Sequence, residues 1–165
     1  MEQYQLREVK SSTIETPLGL MIAMADKDAL YCLAFADEMH VNVKSFQMTL
    51  GVTDPIRSIQ QELDNYFAGT LKIFSTPLGF VGTPFQQTTW RALQQIPYGE
   101  TRAYAELACM IEKPTASRAV ANANGANPLS IVVPCHRVIN SNGKLGGYAG
   151  GISRKEWLLK HERDC

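Results

Sequence analysis

No apolar run in this 165-residue chain is long enough to span a bilayer, and no charged-then-apolar leader opens it. A soluble, cytoplasmic protein with no membrane partner is expected. Cysteine is scarce and unpaired. Cys32, Cys109, Cys135 and Cys165 are spread along the chain, and none stands in a Cys-x-x-Cys pair. That excludes a disulfide framework and suits a reducing compartment in which a thiol stays free. The histidines are His40, His136 and His161, and none sits at ligand spacing with a cysteine. Cys32 and His40 are only loose candidates, so no metal is expected. Repeats and low-complexity tracts are missing. Net charge is zero, which offers no overall attraction to a polyanion.

Enough remains to build a core, since 45% of the residues are hydrophobic and 19% charged. The length suits one compact domain or two small ones. The halves differ in charge. Residues 1–79 carry six basic and ten acidic side chains, a net −4, and residues 80–165 carry the compensating +4. Such asymmetry hints that the second half faces a polyanion.

Residues 1–79 read as strands, turns and one helix. Ser12 to Thr16 alternates, Pro17-Leu18-Gly19 turns, and Leu20–Met24 and Ala29–Phe35 are apolar around Asp26-Lys27-Asp28. This predicts a small antiparallel sheet. Asp54-Pro55 opens a helix, with Asp54 as its cap. Its apolar face is Ile56, Ile59, Leu63, Tyr66 and Phe67, a core face rather than a binding face. Pro77, Gly79 and Gly82 mark a connection, and the domain boundary is placed near Phe80.

The second half reads as mainly helical, so the fold class is α+β. Thr83-Pro84 opens a helix with Trp90, Leu93 and Ile96 inward, and Pro97-Tyr98-Gly99 stops it. Tyr104 to Met110 and Thr115 to Asn124 form two short helices around Ile111-Glu112-Lys113-Pro114, the shape of a helix-turn-helix. Thr115 is the expected N-cap of the second, and Gly125 its C-terminal cap. That helix is rich in alanine and carries Arg118 near its start. Small side chains suit either a nucleic-acid groove or ordinary helix packing. Later come a turn at Asn140-Ser141-Asn142-Gly143 and five glycines within nine positions around Tyr148. Those glycines read as a pocket wall. Ser153-Arg154-Lys155-Glu156 reads as a capping box for a last helix ending near Glu162.

The chemistry centres on Asn127-Pro128-Leu129-Ser130-Ile131-Val132-Val133-Pro134-Cys135-His136-Arg137-Val138. Ile131–Val133 is a β-branched run, predicting a buried strand that Pro134 terminates. Cys135 then stands where the strand emerges, with an imidazole and a guanidinium beside it. Those neighbours favour the thiolate, the reactive form of cysteine.

Pro134-Cys135-His136-Arg137-Val138 resembles the active-site signature of the O6-alkylguanine-DNA alkyltransferases, also called methylated-DNA–protein-cysteine methyltransferases. Glu100-Thr101-Arg102-Ala103-Tyr104, Ser117-Arg118-Ala119-Val120, Asn127-Pro128, Gly147-Tyr148-Ala149-Gly150-Gly151 and Lys155-Glu156-Trp157-Leu158-Leu159 resemble it too. The match is close from about Pro84 to Glu162. Before that the likeness is one of size and strand–helix order, and it implies a ribonuclease-H-like α/β domain over 1–79. Residues 80–165 would then be the DNA-binding and active-site domain.

The resemblance implies a monomer that repairs double-stranded DNA containing O6-alkylguanine, once, without a cofactor. The Cys135 thiolate would take the alkyl group and keep it. O4-alkylthymine is left open as a further substrate. His136 would be the base, acting through a water, and Glu162 would orient it. Tyr104 would donate toward the purine. The amide of Ala149 would meet O6, where many relatives carry serine, and Tyr148 would wall the pocket. The carbonyls of Cys135 and Val138 would read the exocyclic amine. Asn127 would be a hinge between the helix-turn-helix and the active site. Ser117 and Arg118 would contact DNA in the minor groove, Arg118 filling the gap left by a flipped nucleotide. Three rivals remain: a non-catalytic alkyltransferase-like lesion binder, a cysteine hydrolase and a transcription factor with a sensor cysteine. The first lacks the cysteine. The second rarely places its base directly after its nucleophile. The third carries a regulatory domain not seen here.

Overall fold

The computed structural model describes residues 6–38 and 43–165. His40 lies outside them. The chain divides into two compact units, Met1–Gly79 and Phe80–Cys165.

The first unit is a four-stranded sheet with one helix. β1 (Arg7–Thr16), β2 (Gly19–Ala25), β3 (Leu30–Phe35) and β4 (Phe46–Leu50) lie in the order β3-β2-β1-β4. β1–β2 and β2–β3 are antiparallel, but β4 joins β1 in parallel. The sheet is therefore mixed, not antiparallel throughout. The reason is that β4 returns from a connection too long to be a tight hairpin. β3 is buried at every residue although it ends the sheet order. The return segment covers it: Leu30 donates to Pro77 O at 2.8 Å and Gly79 donates to Leu30 O at 2.8 Å. Only glycine fits at 79, because a Cβ there would lie 2.1 Å from the Tyr31 ring. Cys32 sits in an apolar cluster with Val9, Met24, Tyr31, Ala34 and Phe46. Burial pushes its thiol up to about 12, so it is core.

α1 (Asp54–Phe67) buries Ile56, Ile59, Leu63 and Tyr66 of the face expected of it, and Phe67 is only half-buried. Its N-cap is Thr53, so Asp54 is the first helical residue rather than the cap. Pro55 still fits the first turn, where no donor is needed. Glu62 is a buried carboxylate on this helix. It accepts the Ser75 and Thr76 amides, each at 2.7 Å, and the Thr76 hydroxyl, and so ties the strand-like return segment to the helix.

The second unit holds the remaining helices. α2 (Pro84–Leu93) opens with a full capping box: Thr83 Oγ1 accepts from Gln86 N at 3.1 Å, and Gln86 Oε1 accepts from Thr83 N at 3.0 Å. Trp90, Leu93 and Ile96 are buried. A two-residue strand, β5 (Arg102–Ala103), leads directly into α3 (Tyr104–Met110). α4 (Ser117–Gly125) completes the helix-turn-helix. Its N-cap is Ala116 rather than Thr115, and Gly125 is still helical, with Ala126 as the cap. The turn between α3 and α4 is sharp enough to hold Glu112 at φ 60. β6 (Val138–Ile139) pairs in parallel with β5. α5 (Ile152–Asp164) starts after Gly151, whose φ of 91 favours glycine. Ser153 therefore lies inside α5 and caps nothing.

The largest departure lies before Cys135. Ile131–Val133 is not a strand. Val132 N donates to Ser130 O at 2.8 Å, Val133 N to Leu129 O at 2.9 Å and Cys135 N to Val133 O at 2.8 Å. These are successive tight turns, with Ile131 at φ 71. A side chain replaces the ladder a strand would need. The Asn127 carboxamide accepts from Leu129 N at 3.0 Å and donates to Val133 O at 2.8 Å. Burial of Leu129, Ile131 and Val133 then outweighs their β-preference. The turn at Asn140 forms, with Gly143 N donating to Asn140 O at 3.0 Å, but no second strand follows it. Among the described residues no helix is long and apolar enough to cross a membrane.

Glu62→Gln tests the tether in the first unit. It keeps shape but sets an amide against two backbone donors, and should cost about 2 kcal/mol by urea denaturation. An unchanged midpoint would show that the tether is not stabilising.

Candidate active site

Cys135 opens a single turn of 3-10 helix, Cys135–Arg137, and all three side chains are buried. The imidazole of His136 has no solvent exposure. Its Nε2 meets Glu162 Oε1 at 2.7 Å. Glu162 comes from the last turns of α5, which set Lys155, Leu158 and Glu162 on its inner face. Arg137 takes the same carboxylate in a fork, Nε to Oε2 at 2.8 Å and Nη2 to Oε1 at 3.0 Å. Its Nη1 donates to Ile96 O at 2.7 Å, and its guanidinium lies over the Tyr98 ring at 5.7 Å.

Burial alone would raise the Glu162 carboxyl, but His136 and Arg137 overcome it and hold the group well below the carboxylate range. An ionised Glu162 only accepts hydrogen bonds, so Nε2 of His136 must carry the hydrogen. Burial holds the imidazole below its ordinary value, against the pull of Glu162, so the ring is neutral. Nδ1 is then the basic nitrogen, and it is buried without a protein partner. The imidazole next to the thiol thus has its tautomer chosen and a lone pair free.

Tyr104 begins α3 and is half-buried. Burial raises its hydroxyl, and the Cys135 charge adds to that. A methyl group at Gly146 would come within 3.4 Å of the Tyr104 oxygen, which puts the glycine loop at the same place. In that loop Gly151 N donates to Tyr148 O at 2.9 Å, and Arg154 Nη1 donates to Gly150 O at 3.1 Å. Tyr148 and Ala149 are half-buried between these ties. Val138 is buried, and its carbonyl accepts from Lys155 Nζ at 2.6 Å. Asn127 binds the turns just before Cys135, as described. Ser117 and Arg118 open α4, with Arg118 exposed. They lie on the helix-turn-helix and have no bond to the cysteine cluster.

Three residues were not anticipated. Arg137 serves Glu162 rather than Cys135. Lys155 is fully buried and donates to Val138 O and, at 3.1 Å, to Gly147 O. Burial pulls its ammonium down to about 8, against an upward pull from Cys135. Asn124 donates to the Cys135 carbonyl. One sequence signal could have found Lys155: it stands seven residues before Glu162, so two charged residues share the inward face of one helix. Among the described residues no three His, Cys, Asp or Glu side chains gather as a metal site.

Both buried shifts act in one direction with pH. A neutral His136 refuses the proton that the unfolded imidazole takes below about pH 6.5, so its contribution is present above that value and drains as pH falls. Glu162 contributes above its unfolded value of about 4.3 and is lost as pH falls through its lower folded value. Unfolding free energy from urea titrations should therefore fall from pH 7 to pH 5. His136→Gln should flatten that slope, and an equal slope in the variant would place its source elsewhere.

Comparison with known proteins gives the family. Residues 84–164 match the family model "6-O-methylguanine DNA methyltransferase, DNA binding domain", and residues 9–80 match its "ribonuclease-like domain". The methylated-DNA–protein-cysteine methyltransferase of Methanosarcina acetivorans is 44% identical over 158 residues, covering 92% of this chain and 96% of that protein. The constitutive methylated-DNA–protein-cysteine methyltransferase of Bacillus subtilis is 46% identical over 155 residues, covering 92% and 94%. Among solved structures, Mycobacterium tuberculosis OGT in complex with DNA superposes with a TM-score of 0.84 at 41% identity, covering 95% of this chain and 93% of that one. Matched in both of its units and over nearly its whole length, this chain belongs to the 6-O-methylguanine DNA methyltransferase family.

Proposed function

We propose that this protein repairs DNA by moving the alkyl group of O6-alkylguanine onto Cys135, irreversibly and once per molecule. The observation that carries the proposal is the buried His136–Glu162–Arg137 network on the turn that Cys135 opens, in which a carboxylate fixes a neutral imidazole. A thiol is only a few per cent ionised near neutrality and needs a base. His136 Nδ1 takes its proton through an intervening water. The Cys135 sulfur then displaces the alkyl carbon from O6. The C–O bond breaks, its electron pair stays on guanine, and a thioether remains on the protein. No cofactor enters that balance.

Tyr104 supports the leaving guanine with a proton or hydrogen bond, because burial keeps its hydroxyl protonated. The Ala149 amide meets O6, and Tyr148 walls the pocket. The carbonyls of Cys135 and Val138 receive the exocyclic amine. Asn127 is the hinge between α4 and the catalytic turns. The target atom lies inside the duplex, so the nucleotide must leave the stack, at a cost of a few kcal/mol. Exposed Arg118 takes its place, with Ser117 beside it on the backbone. The net +4 of residues 80–165 supplies a phosphate attraction that weakens with salt. We place the protein in the cytoplasm, as a monomer.

The test is intact-protein mass after incubation with a duplex containing O6-methylguanine, followed by peptide mapping. One added methyl on the Cys135 peptide, in proportion to lesion consumed, is expected. Lesion-dependent binding without a mass change would mean a non-catalytic lesion binder. Cys135→Ala should abolish transfer and keep DNA binding. Arg118→Ala should slow repair in duplex at least tenfold more than reaction with the free base. Equal losses would remove the flipping role.

A further inference from the structure

Asn124 stands in the last turn of α4, and only 5% of it is exposed. Its neighbour Ala123 is anchored, since Trp90 Nε1 donates to Ala123 O at 2.9 Å. From that fixed turn the Asn124 carboxamide points Nδ2 at the carbonyl of Cys135, at 3.4 Å. The opposite orientation would set two oxygens together, so the bond itself decides which end is nitrogen. The same carbonyl also accepts the backbone amide of Val138. A carbonyl oxygen has two lone pairs, and here both are used.

This matters because the Cys135 carbonyl is one of the two groups assigned above to the exocyclic amine of guanine. The amine must displace one donor. A long side-chain bond is easier to displace than a backbone bond within the turn. Asn124 thus stands where the amine will stand. A base with no amine at that edge leaves Asn124 in place and the carbonyl satisfied. A second observation argues that the residue is not there for the fold. Asn124 Oδ1 is buried with no partner. A buried acceptor left unmet destabilises, and an apolar residue of the same shape would not.

We infer that Asn124 is a specificity-determining residue, whose carboxamide substitutes for the exocyclic amine and so admits alkylated bases that lack one. The inference rests on the alkyltransferase reading above. The substrate class is an O-alkylated purine with no substituent at the edge facing Cys135, such as O6-alkylhypoxanthine. When such a base binds, Nδ2 keeps the carbonyl paired. When guanine binds, its amine replaces Nδ2 at little net gain, because one hydrogen bond is exchanged for another. The wild-type protein should therefore discriminate weakly between the two classes. Without Asn124 the carbonyl would be half-satisfied unless an amine arrived, so discrimination should sharpen.

The experiment compares single-turnover transfer by the wild-type protein and Asn124→Leu. The substrates are duplexes carrying O6-methylguanine or O6-methylhypoxanthine, read by protein mass. The ratio of the guanine rate to the hypoxanthine rate should rise at least tenfold in Asn124→Leu, while Tm holds or increases. Asn124→Ala should move the ratio the same way, which covers a failure of the leucine variant to fold. A merely structural role would slow both substrates together and lower Tm. Normal methylation of Cys135 with unchanged ratios would overturn the inference alone. No methylation of the wild-type protein by any lesion would overturn it together with the reading beneath it.

Discussion

A carboxylate taken out of water must be compensated or it will not stay charged, and Glu162 has two compensating partners on adjacent residues. Much of the second unit depends on that arrangement. The carboxylate holds the last turns of α5 against the Cys135–Arg137 turn. Arg137 extends the tie to the carbonyl of Ile96, just past α2. The same ion pair decides the chemistry of His136. Arg137 keeps Glu162 ionised, the ionised carboxylate claims the Nε2 hydrogen, and the lone pair is left at Nδ1. Charge, tautomer and packing are set by one group. Replacing either partner would strand a buried charge, which is far more costly than losing a surface pair.

Cys135 itself rests on irregular backbone. Tight turns precede Cys135, and Ile131 adopts a left-handed conformation that a β-branched residue rarely takes. Such a segment persists only where its surroundings determine it. Asn127 supplies the hydrogen bonds that a neighbouring strand would have supplied. Lys155 does similar service after Cys135, tying Val138 to the glycine loop. Its ammonium is buried on two carbonyls, and Cys135 is the charge that draws its ionisation upward. The Cys135 sulfur therefore sits among groups held by side chains rather than by a sheet.

The helix-turn-helix serves two surfaces at once. Its outer face carries Arg118. Its inner face packs Val120, Ala123 and Asn124, and Asn124 reaches the Cys135 carbonyl. Small residues on α4 thus serve close packing inside, the helix-packing reading of the alanine pattern.

Local chemistry by itself determined a good deal. The apolar face of α1, the Thr83-Pro84 start of α2, the span of α3 and the order of the first three strands follow from periodicity and capping. Those forces act between residues near in sequence. Cys135 and His136 also stood out, because a rare five-residue motif carries them, and the family resemblance pointed to Glu162. What needed the tertiary structure involves partners far apart in the chain. β4 adds in parallel across a long connection. The Ile131–Val133 run becomes turns because Asn127 and burial outweigh a β-preference. The caps of α4 and α5 shift because packing sets where those helices begin. Arg137 turns to Glu162, Lys155 goes inward, and Asn124 meets Cys135. Each is a charged or polar group whose burial is tolerable only beside partners that sequence spacing does not reveal.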